Sequence, residues 1–196
     1  MSVPLYITSL LGVLEHLSSQ DVLRLQDVLF KAWRAERTIF IAGNGGSAST
    51  ASHFANDLNK GANVANQPRF RAIALSDNVP LITAWANDTS YDRIFLEQMA
   101  NFLRPGDVFI AFSGSGNSPN IVAAVQWARE AGAITIGLTG GTGGQLRSIV
   151  DHCVVVPSTR MEQIEDVHLI VAHGLCTSLR TAIAARTHAP VGTPAF

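Results

Sequence analysis

The sequence predicts an α/β fold in which a doubly wound, five-stranded parallel sheet of flavodoxin or Rossmann type is flanked by helices. One observation is that short β-rich runs alternate along the chain with segments whose apolar residues recur at helical spacing. Such alternation is typical of parallel strands whose connecting helices cover both faces of the sheet. A second observation is that the 196 residues contain no internal repeat and no break in composition, which favours a single sheet domain.

The chain is predicted to begin with a helical extension, residues 1–36. Apolar residues recur at helical spacing over 4–35. Ser18 or Ser19 is a candidate N-cap inside this segment. The pattern therefore fits one long helix or two short ones.

After this extension the sequence predicts the sheet domain, residues 37–186. Its strands are expected at 38–42, 72–75, 107–112, 133–138 and 153–156. Its helices are expected at 47–60, 79–87, 90–103, 118–131, 143–149 and 161–186. The last residues, 187–196, contain two prolines and are expected to form a loose tail.

Charged residues are scarce in this sequence. They make up 15% of the chain, against about 25% in an average soluble domain, so too few exist to cover a monomer's surface in the usual way. We therefore predict a homo-oligomer with buried subunit interfaces. The 14 Lys and Arg residues are balanced by 15 Asp and Glu residues, and without a basic field neither nucleic acid nor an anionic membrane is expected as a partner.

The amino terminus and the cysteines bear on the compartment. The first cation is Arg24, so there is no basic leader, and no apolar run reaches the roughly 18 residues of a membrane span. We expect a cytoplasmic protein. Cys153 and Cys176 are flanked by apolar residues, which predicts buried free thiols rather than a disulfide or a cysteine-based zinc site.

The first chemically informative loop reads GNGGSA, residues 43–48, between the first strand of the sheet and a helix. Its glycines permit positive φ and close approach of a ligand, and its amides open a helix N-terminus. The loop also matches the dinucleotide fingerprint G-x-G-x-x-A. That fingerprint needs an acidic residue about 20 positions onward, and residues 61–67 contain none, so dinucleotide binding is disfavoured. A tight turn without a ligand is the other alternative.

The second informative loop reads SGSGNSPN, residues 113–120, between the strand 107–112 and the helix 118–131. Ser118 is the predicted N-cap and Pro119 the first helical residue. Three hydroxyl groups and backbone amides at the positive end of a helix can bind an anion without a lysine, so phosphate is the expected ligand. No Gly-Lys-Ser/Thr follows, which disfavours a Walker A loop with a nucleoside triphosphate and magnesium. A plain Ser/Gly linker is the alternative.

These loops, with four further segments, resemble the sugar isomerase (SIS) domains, and among them the sedoheptulose 7-phosphate isomerases, also called phosphoheptose isomerases. The resemblance extends over residues 35–180. It is carried by GNGGS at 43–47, SHFA at 52–55, AWAND at 84–88, SGSGNS at 113–118, GLTG at 137–140 and IEDVHLIVAH at 164–173. It implies that residues 37–186 form a SIS domain.

The resemblance also implies which residues bind the substrate. A first binding loop contains Asn44, Gly45, Gly46 and Ser47, a second contains Asn87 and Asp88, and the phosphate loop contains Ser113, Gly114, Ser115 and Ser118. The substrate implied is a phosphorylated sugar.

A metal site is implied by the same resemblance. His53 and His173 match two zinc-ligand positions of the family, whereas the other two, normally Glu and Gln, hold Asp57 and Glu165. Both substitutions keep an oxygen donor, so a divalent metal, zinc by resemblance, is still expected on these four residues. Asp57 also stands at the position of the family's general base, one methylene shorter, and both Asp57 and Glu165 are expected to contact the substrate.

Spacing on the predicted helices supports part of this ligand set. His53 and Asp57 are four residues apart and share one helix face. Glu165 and His173 are eight residues apart, a rise of about 12 Å on a continuous helix, whereas two ligands of one zinc ion lie about 3 Å apart. Either Glu165 precedes the helix or subunits share the site. His168, in the same segment, is predicted to be structural.

The function implied is that of an aldose–ketose isomerase that interconverts sedoheptulose 7-phosphate and D-glycero-D-manno-heptose 7-phosphate. In the family this is the entry step to nucleotide-heptose synthesis for the lipopolysaccharide core. Asp57 and His173 would carry out the two proton transfers, with an enediolate as the intermediate. Either the metal, or hydrogen bonds to Asp88 and Glu165, would orient the sugar. The resemblance also implies a tetramer with active sites at subunit interfaces.

Two other functions remain open at this point. The altered residues Asp57 and Glu165 suggest a non-catalytic SIS module that binds a sugar phosphate or a protein partner such as the replication initiator. No feature of the sequence determines how many carbons the sugar has, so an isomerase of another sugar phosphate is the third possibility.

Overall fold

The chain folds around a parallel sheet of five strands in the order β2-β1-β3-β4-β5. This computed structural model describes residues 1–187. The strands are β1 (Thr38–Ala42), β2 (Arg71–Ala74), β3 (Val108–Phe112), β4 (Ile134–Gly140) and β5 (His152–Val156). The predicted doubly wound sheet is thus confirmed. Because the strand order reverses between β1 and β3, the crevice beyond their carboxyl ends is where a ligand is expected.

Helices cover both faces of the sheet. They are α1 (Val3–Glu15), α2 (Ser19–Arg34), α3 (Gly46–Asn56), α4 (Val79–Asp88), α5 (Leu96–Ala100), α6 (Pro119–Glu130), α7 (Leu146–Ile149) and α8 (Met161–Thr187). Strand residues alternate between two cores: Ile39 and Ile41 pack with α2, α3 and α8, whereas Phe40 and Ala42 pack with α5, α6 and α7. This alternation follows from the period-2 direction of side chains in a strand.

The amino-terminal extension consists of two helices rather than one. The Ser18 side chain accepts a hydrogen bond from the Asp21 N–H (3.3 Å), which makes Ser18 the N-cap of α2. α1 packs against α8 through the Tyr6 hydroxyl, which donates to Asp166 (2.5 Å). This hydrogen bond is the main reason why the pKa of Tyr6 is raised to about 12. The predicted tail, residues 187–196, lies outside the described residues except for Thr187, the last residue of α8.

Three predicted helices differ in extent from the observed ones. The helix predicted at 90–103 is instead a 3₁₀ turn, Tyr91–Arg93, followed by the short α5, because the consecutive residues Ile94, Phe95 and Leu96 are all buried and cannot share one helix face. The helix predicted at 143–149 is reduced to α7, since Gly143 and Gly144 both adopt positive φ.

The third difference lies next to the candidate site. The helix predicted at 47–60 ends as α-helix at Asn56 and continues as a π-helical turn, Asp57–Gly61. The Ala62 N–H donates to the Asp57 carbonyl oxygen (2.8 Å), which closes this wider turn. Single π turns in helices are frequently found at functional sites.

α8 is the long apolar helix of the protein. Within the described part of the chain it alone is long and apolar enough to cross a membrane by length and composition. Its residues Val167, Leu175 and Leu179 are buried in the core with α2 and α3, so packing against the sheet accounts for its apolar composition.

Two cysteines and a histidine are titratable groups in or next to the core. Cys153 and Cys176 are free thiols; Cys176 is buried, as predicted, whereas Cys153 is only half-buried. Burial raises the pKa of Cys153 to about 11. His168 is fully buried beside Phe112, and burial lowers its pKa to about 4, so its imidazole is neutral. Its Nε2–H donates to the Thr139 carbonyl oxygen (3.4 Å), which ties α8 to β4.

Candidate functional site

A pocket of about 260 Å³ opens beyond the carboxyl ends of β1 and β3, at the predicted position. We call it the serine pocket. It is lined by Asn44, Gly45, Gly46, Ser47, Phe112, Ser113, Gly114, Ser115, Ser118, Met161 and Glu165. Both loops singled out in the sequence therefore face one cavity, and α8 forms the opposite wall.

The serine loop is held by a set of local hydrogen bonds. Ser113 is buried, and its Oγ lies 3.3 Å from the Oγ of Ser118. The Asn117 side chain accepts from the Gln145 N–H (3.0 Å) and donates to the Ser115 carbonyl (3.0 Å). The hydroxyl groups and the N-terminus of α6 consequently form a fixed, neutral and donor-rich surface of the kind that binds phosphate.

Ser118 is the N-cap residue of α6, as predicted, but its side chain makes no capping hydrogen bond within residues 1–187. Its hydroxyl is turned toward Ser113 instead. Ser118 is therefore the N-cap by position and backbone conformation, and not through a hydrogen bond of its hydroxyl. The side chain is free to contact a ligand.

The Ser118→Ala variant should bind the phosphorylated sugar about tenfold more weakly, because a hydrogen bond to a charged group contributes about 1.5–3 kcal/mol. Its free energy of unfolding should change by less than about 0.5 kcal/mol, since no cap is lost. Calorimetric titration and urea unfolding measure the two quantities. Ser148→Ala, an exposed serine outside the pocket, is the matched control. Unchanged affinity together with a loss of stability would identify Ser118 as a structural residue.

Asn44 is fixed by two residues that the sequence did not single out as site residues. Its side-chain amide forms a reciprocal pair with the amide of Asn120, each Nδ2 donating to the other Oδ1 at 2.9 Å. The Tyr91 hydroxyl also donates to Asn44 Oδ1 (3.1 Å). With Oδ1 accepting twice and one N–H used, Asn44 retains one N–H for a ligand. Asn120 is part of the serine-loop motif, whereas nothing in the sequence signals Tyr91.

α8 approaches the pocket closely because the opposing residues are glycines. A Cβ added to Gly46 would lie 2.5 Å from the carboxyl carbon of Glu165, and one on Gly114 would lie 3.2 Å from Cε of Met161. Glu165 is half-buried in this wall. Its carboxylate therefore belongs to the serine pocket, as its predicted substrate role requires.

A second group of site residues lies farther along α3 and α8. The Nε2 atoms of His53 and His173 are 2.9 Å apart. Oδ2 of Asp57 lies 3.5 Å from the His53 Nε2 and 3.7 Å from the His173 Nε2. We call this the His–Asp cluster. Both imidazole side chains are about half exposed, at 46% and 52%, whereas Asp57 is 17% exposed.

The π turn and Cys176 position Asp57 in this cluster. Asp57 is the first residue of the turn, and its carbonyl accepts from the Cys176 Sγ on α8 (3.4 Å). Gly61, the last residue of the turn, allows this approach, because an added Cβ would lie 3.1 Å from that sulfur. The carboxylate is thereby held facing His173.

The cluster has the donor set of a metal centre. One ligand atom from each of the three residues lies within 4.8 Å of the others, and ligands of one zinc ion are separated by about 3 Å. Two imidazole nitrogens and a carboxylate oxygen are ligands that zinc accepts. The residues therefore fit a divalent cation with at least one further position for a ligand or water.

Glu165 does not join the His–Asp cluster in the described chain. The alternative that it precedes the helix is wrong, because α8 begins at Met161 and includes both Glu165 and His173. Eight residues of helix separate them by about 12 Å. One copy of the chain therefore brings together three of the four residues that the resemblance implies as ligands.

Asn87 and Asp88 are also not brought to the pocket by this copy of the chain. They are exposed at the end of α4, where the Asn87 amide donates to Asp88 (2.8 Å), and neither lines the serine pocket as described in residues 1–187. Tyr91, three residues beyond Asp88, is the link from this segment to Asn44.

The serine pocket and the His–Asp cluster lie along one pair of packed helices. On α3, Gly46 borders the pocket and His53 belongs to the cluster; on α8, Glu165 and His173 are placed in the same order. Seven or eight helical residues correspond to about 11–12 Å. An extended sugar phosphate can therefore reach from the serine hydroxyls toward the cluster.

The chain is similar in sequence to known proteins. The SIS-domain family profile matches residues 5–140. The phosphoheptose isomerase of Rhodospirillum rubrum is 40% identical over 156 residues, which cover 80% of this chain and 82% of that protein.

Two solved structures have the same fold. The phosphoheptose isomerase GmhA of Neisseria gonorrhoeae superposes with a TM-score of 0.85 at 28% identity and covers 91% of this chain and 97% of its own. A phosphoheptose isomerase from Francisella tularensis gives a TM-score of 0.81 at 28% identity, covering 89% of this chain and 92% of its own.

Proposed function

The chain belongs to the phosphoheptose isomerase family of SIS-domain proteins, and from this premise we propose that it interconverts sedoheptulose 7-phosphate and D-glycero-D-manno-heptose 7-phosphate. The observation that carries the proposal is the alignment of an anion-binding pocket and a His–Asp cluster along α3 and α8. One feature binds the phosphate, and the other lies where the opposite end of the sugar is expected.

The phosphate end is assigned to the serine pocket. Ser113, Ser115 and Ser118 supply hydroxyl groups, and the N-terminus of α6 supplies a positive dipole. The remaining N–H of Asn44 donates a hydrogen bond to a sugar oxygen. The carboxylate of Glu165 accepts a hydrogen bond from a sugar hydroxyl group. These contacts orient the sugar without taking part in proton transfer.

The reacting end is assigned to Asp57 and His173, whose facing atoms are 3.7 Å apart. Asp57 removes the proton from the carbon beside the carbonyl, which gives an enediolate. The hydroxyl proton passes between the two sugar oxygens, and His173 donates a proton to the neighbouring carbon. Transfer of the proton from Asp57 to His173 then restores both groups, so aldose and ketose exchange without net gain or loss of atoms. Because the two groups adjoin one another, one position of the sugar can contact both.

His53, Asp57 and His173 would hold a divalent metal, zinc by family resemblance. When bound, such an ion supplies positive charge that stabilises the enediolate oxygens. Glu165 of this copy is too far along α8 to be a fourth ligand, and we propose that a fourth protein ligand comes from another subunit.

The decisive test is an isomerase assay with the two heptose phosphates, on protein whose metal content is measured. We expect the wild-type chain with bound metal to turn over the heptose phosphates. A sample from which the metal has been removed should show no turnover. Asp57→Glu restores the residue usual in the family: a large gain in turnover indicates a degenerate isomerase, and a large loss indicates a site re-optimised around Asp57 and Glu165. If neither protein turns over the sugar with any divalent metal, the chain is a non-catalytic module that binds a sugar phosphate or a protein partner.

We also propose that the working form is a cytoplasmic homotetramer with active sites at subunit interfaces. α1 supports this, because Val3, Leu5, Ile7 and Leu11 are each more than half exposed in one copy of the chain, and such apolar surface is usually covered by a partner. The separation of Glu165 from the His–Asp cluster, and the position of Asn87 and Asp88 outside the serine pocket, also favour sites completed by a neighbouring subunit.

Light scattering at micromolar concentration should give four times the chain mass of 20.9 kDa. Polar replacement of Leu5 and Leu11 together should shift the protein toward monomers, since it removes apolar area from the proposed contact. A wild-type monomer would contradict both the tetramer and the shared active sites.

A further inference from the structure

A second cavity, of about 350 Å³, lies at the amino ends of the strands, whereas the serine pocket lies at their carboxyl ends. Three arginines line it: Arg37 just before β1, Arg71 at the start of β2, and Arg104 in the segment before β3. They come from three separate segments that meet at the amino ends of neighbouring strands. We call this cavity the arginine pocket.

The arginines of this pocket are not neutralised by acidic partners. The side chains of Arg71 and Arg104 make no hydrogen bond or ion pair within residues 1–187, and Arg37 donates only to the Pro105 carbonyl (3.4 Å). Two arginines outside the pocket do pair with carboxylates, Arg24 with Asp21 and Arg93 with Glu97. The arginine pocket therefore brings together three guanidinium groups that have no carboxylate partner in the described chain.

The two nearby carboxylates offset only part of this charge, so the pocket keeps a net positive charge. Asp107 is buried, and its two oxygens accept from the backbone N–H groups of Thr38 and Arg104, each at 2.9 Å. Glu36 lines the pocket but forms no ion pair in the described part of the chain. The guanidinium groups remain available to an anion, for which their planar fork is well suited when the anion is a phosphate.

The arginine pocket also has an apolar side. Phe102 is 64% exposed and Ile73 is 43% exposed, and both line the same cavity. An aromatic ring beside arginines favours a ligand that carries a flat ring system as well as an anionic group. Inorganic phosphate alone would leave this apolar surface uncovered.

From this juxtaposition we propose that the arginine pocket is a second ligand site, distinct from the isomerase site, that binds a nucleoside diphosphate. The diphosphate contacts Arg37, Arg71 and Arg104, and the base stacks on Phe102. The arginine pocket and the serine pocket lie at opposite ends of the strands, so both can be occupied in the same subunit.

Isothermal titration of the full chain with ADP, pyrophosphate and adenosine tests this proposal. ADP should bind most tightly, pyrophosphate more weakly and adenosine most weakly. The Arg71→Gln/Arg104→Gln variant should raise the dissociation constants of ADP and pyrophosphate at least about tenfold, because two charge-assisted contacts are lost. Phe102→Ala should weaken ADP several-fold and leave pyrophosphate unchanged.

Two controls separate this site from the serine pocket. Arg129→Gln, an exposed arginine on α6 outside the cavity, should keep wild-type ADP affinity. Turnover of the heptose phosphate should be the same in the double arginine variant as in the wild type. The proposal is overturned if ADP does not bind, if the double variant binds it as tightly as the wild type, or if that variant changes only the oligomeric state, which would make the cavity a contact between copies.

Discussion

Replacing Asp57 by Asn is expected to lower isomerase turnover at least about 100-fold, the usual scale for a positioned acid or base. The amide has the size of the carboxylate but neither its charge nor its ability to accept a proton. Bound metal should fall as well, because Asp57 is the one carboxylate within the His–Asp cluster described here. Steady-state kinetics and elemental analysis of the same sample measure the two effects.

The matched control for this variant is Asp27→Asn. Asp27 is exposed on α2, away from the His–Asp cluster, and its replacement removes the same charge from the chain. We expect wild-type turnover and metal content from it. An Asp57→Asn protein with turnover within a few-fold of wild type would show that another group is the base, and retained metal would show that the two imidazoles suffice as protein ligands.

The fold was predictable to the extent that local pattern determines it. β1 was predicted with its observed bounds, and the other strands to within a few residues at each end, because buried parallel strands are short, apolar runs between turn signals. The region after α4 was not predictable, since the burial of Ile94, Phe95 and Leu96 against the sheet overrides helical periodicity. The π turn at Asp57 has no signal in composition or spacing.

The candidate site was predictable where residues are close in sequence. Both glycine- and serine-rich loops line one pocket because carboxyl ends of neighbouring parallel strands share an edge. His53 and Asp57 share a helix face through their spacing, but that His173 meets them depends on the packing of α3 on α8. The spacing of eight residues in sequence indicates that Glu165 and His173 cannot bind one metal ion from a single helix. The structure places Glu165 beside the serine loop instead.

The serine loop depends on Gly116 for its shape. Gly116 has a φ of +66°, which side-chain-bearing residues rarely adopt. A Cβ at this position would also lie 2.7 Å from the carbonyl carbon of Gly143 and 2.8 Å from Oγ1 of Thr139. The carbonyl of Gly116 in turn accepts the Leu146 N–H (2.9 Å) at the start of α7. Because the Gly143 contact is with main-chain atoms, rotation of a side chain cannot relieve it.

Gly116→Ala should therefore lower the free energy of unfolding by at least about 2 kcal/mol, from backbone strain and the clash with a main-chain carbonyl. Affinity for the phosphorylated sugar should fall at least about tenfold in the fraction that remains folded, because the hydroxyl groups of Ser113, Ser115 and Ser118 lose their alignment. Urea unfolding and calorimetric titration measure these changes. Gly174→Ala is the control for stability, since no atom lies within 4 Å of its added Cβ and helical alanine is favoured over glycine. Wild-type stability and affinity in Gly116→Ala would mean that the loop binds phosphate in another conformation.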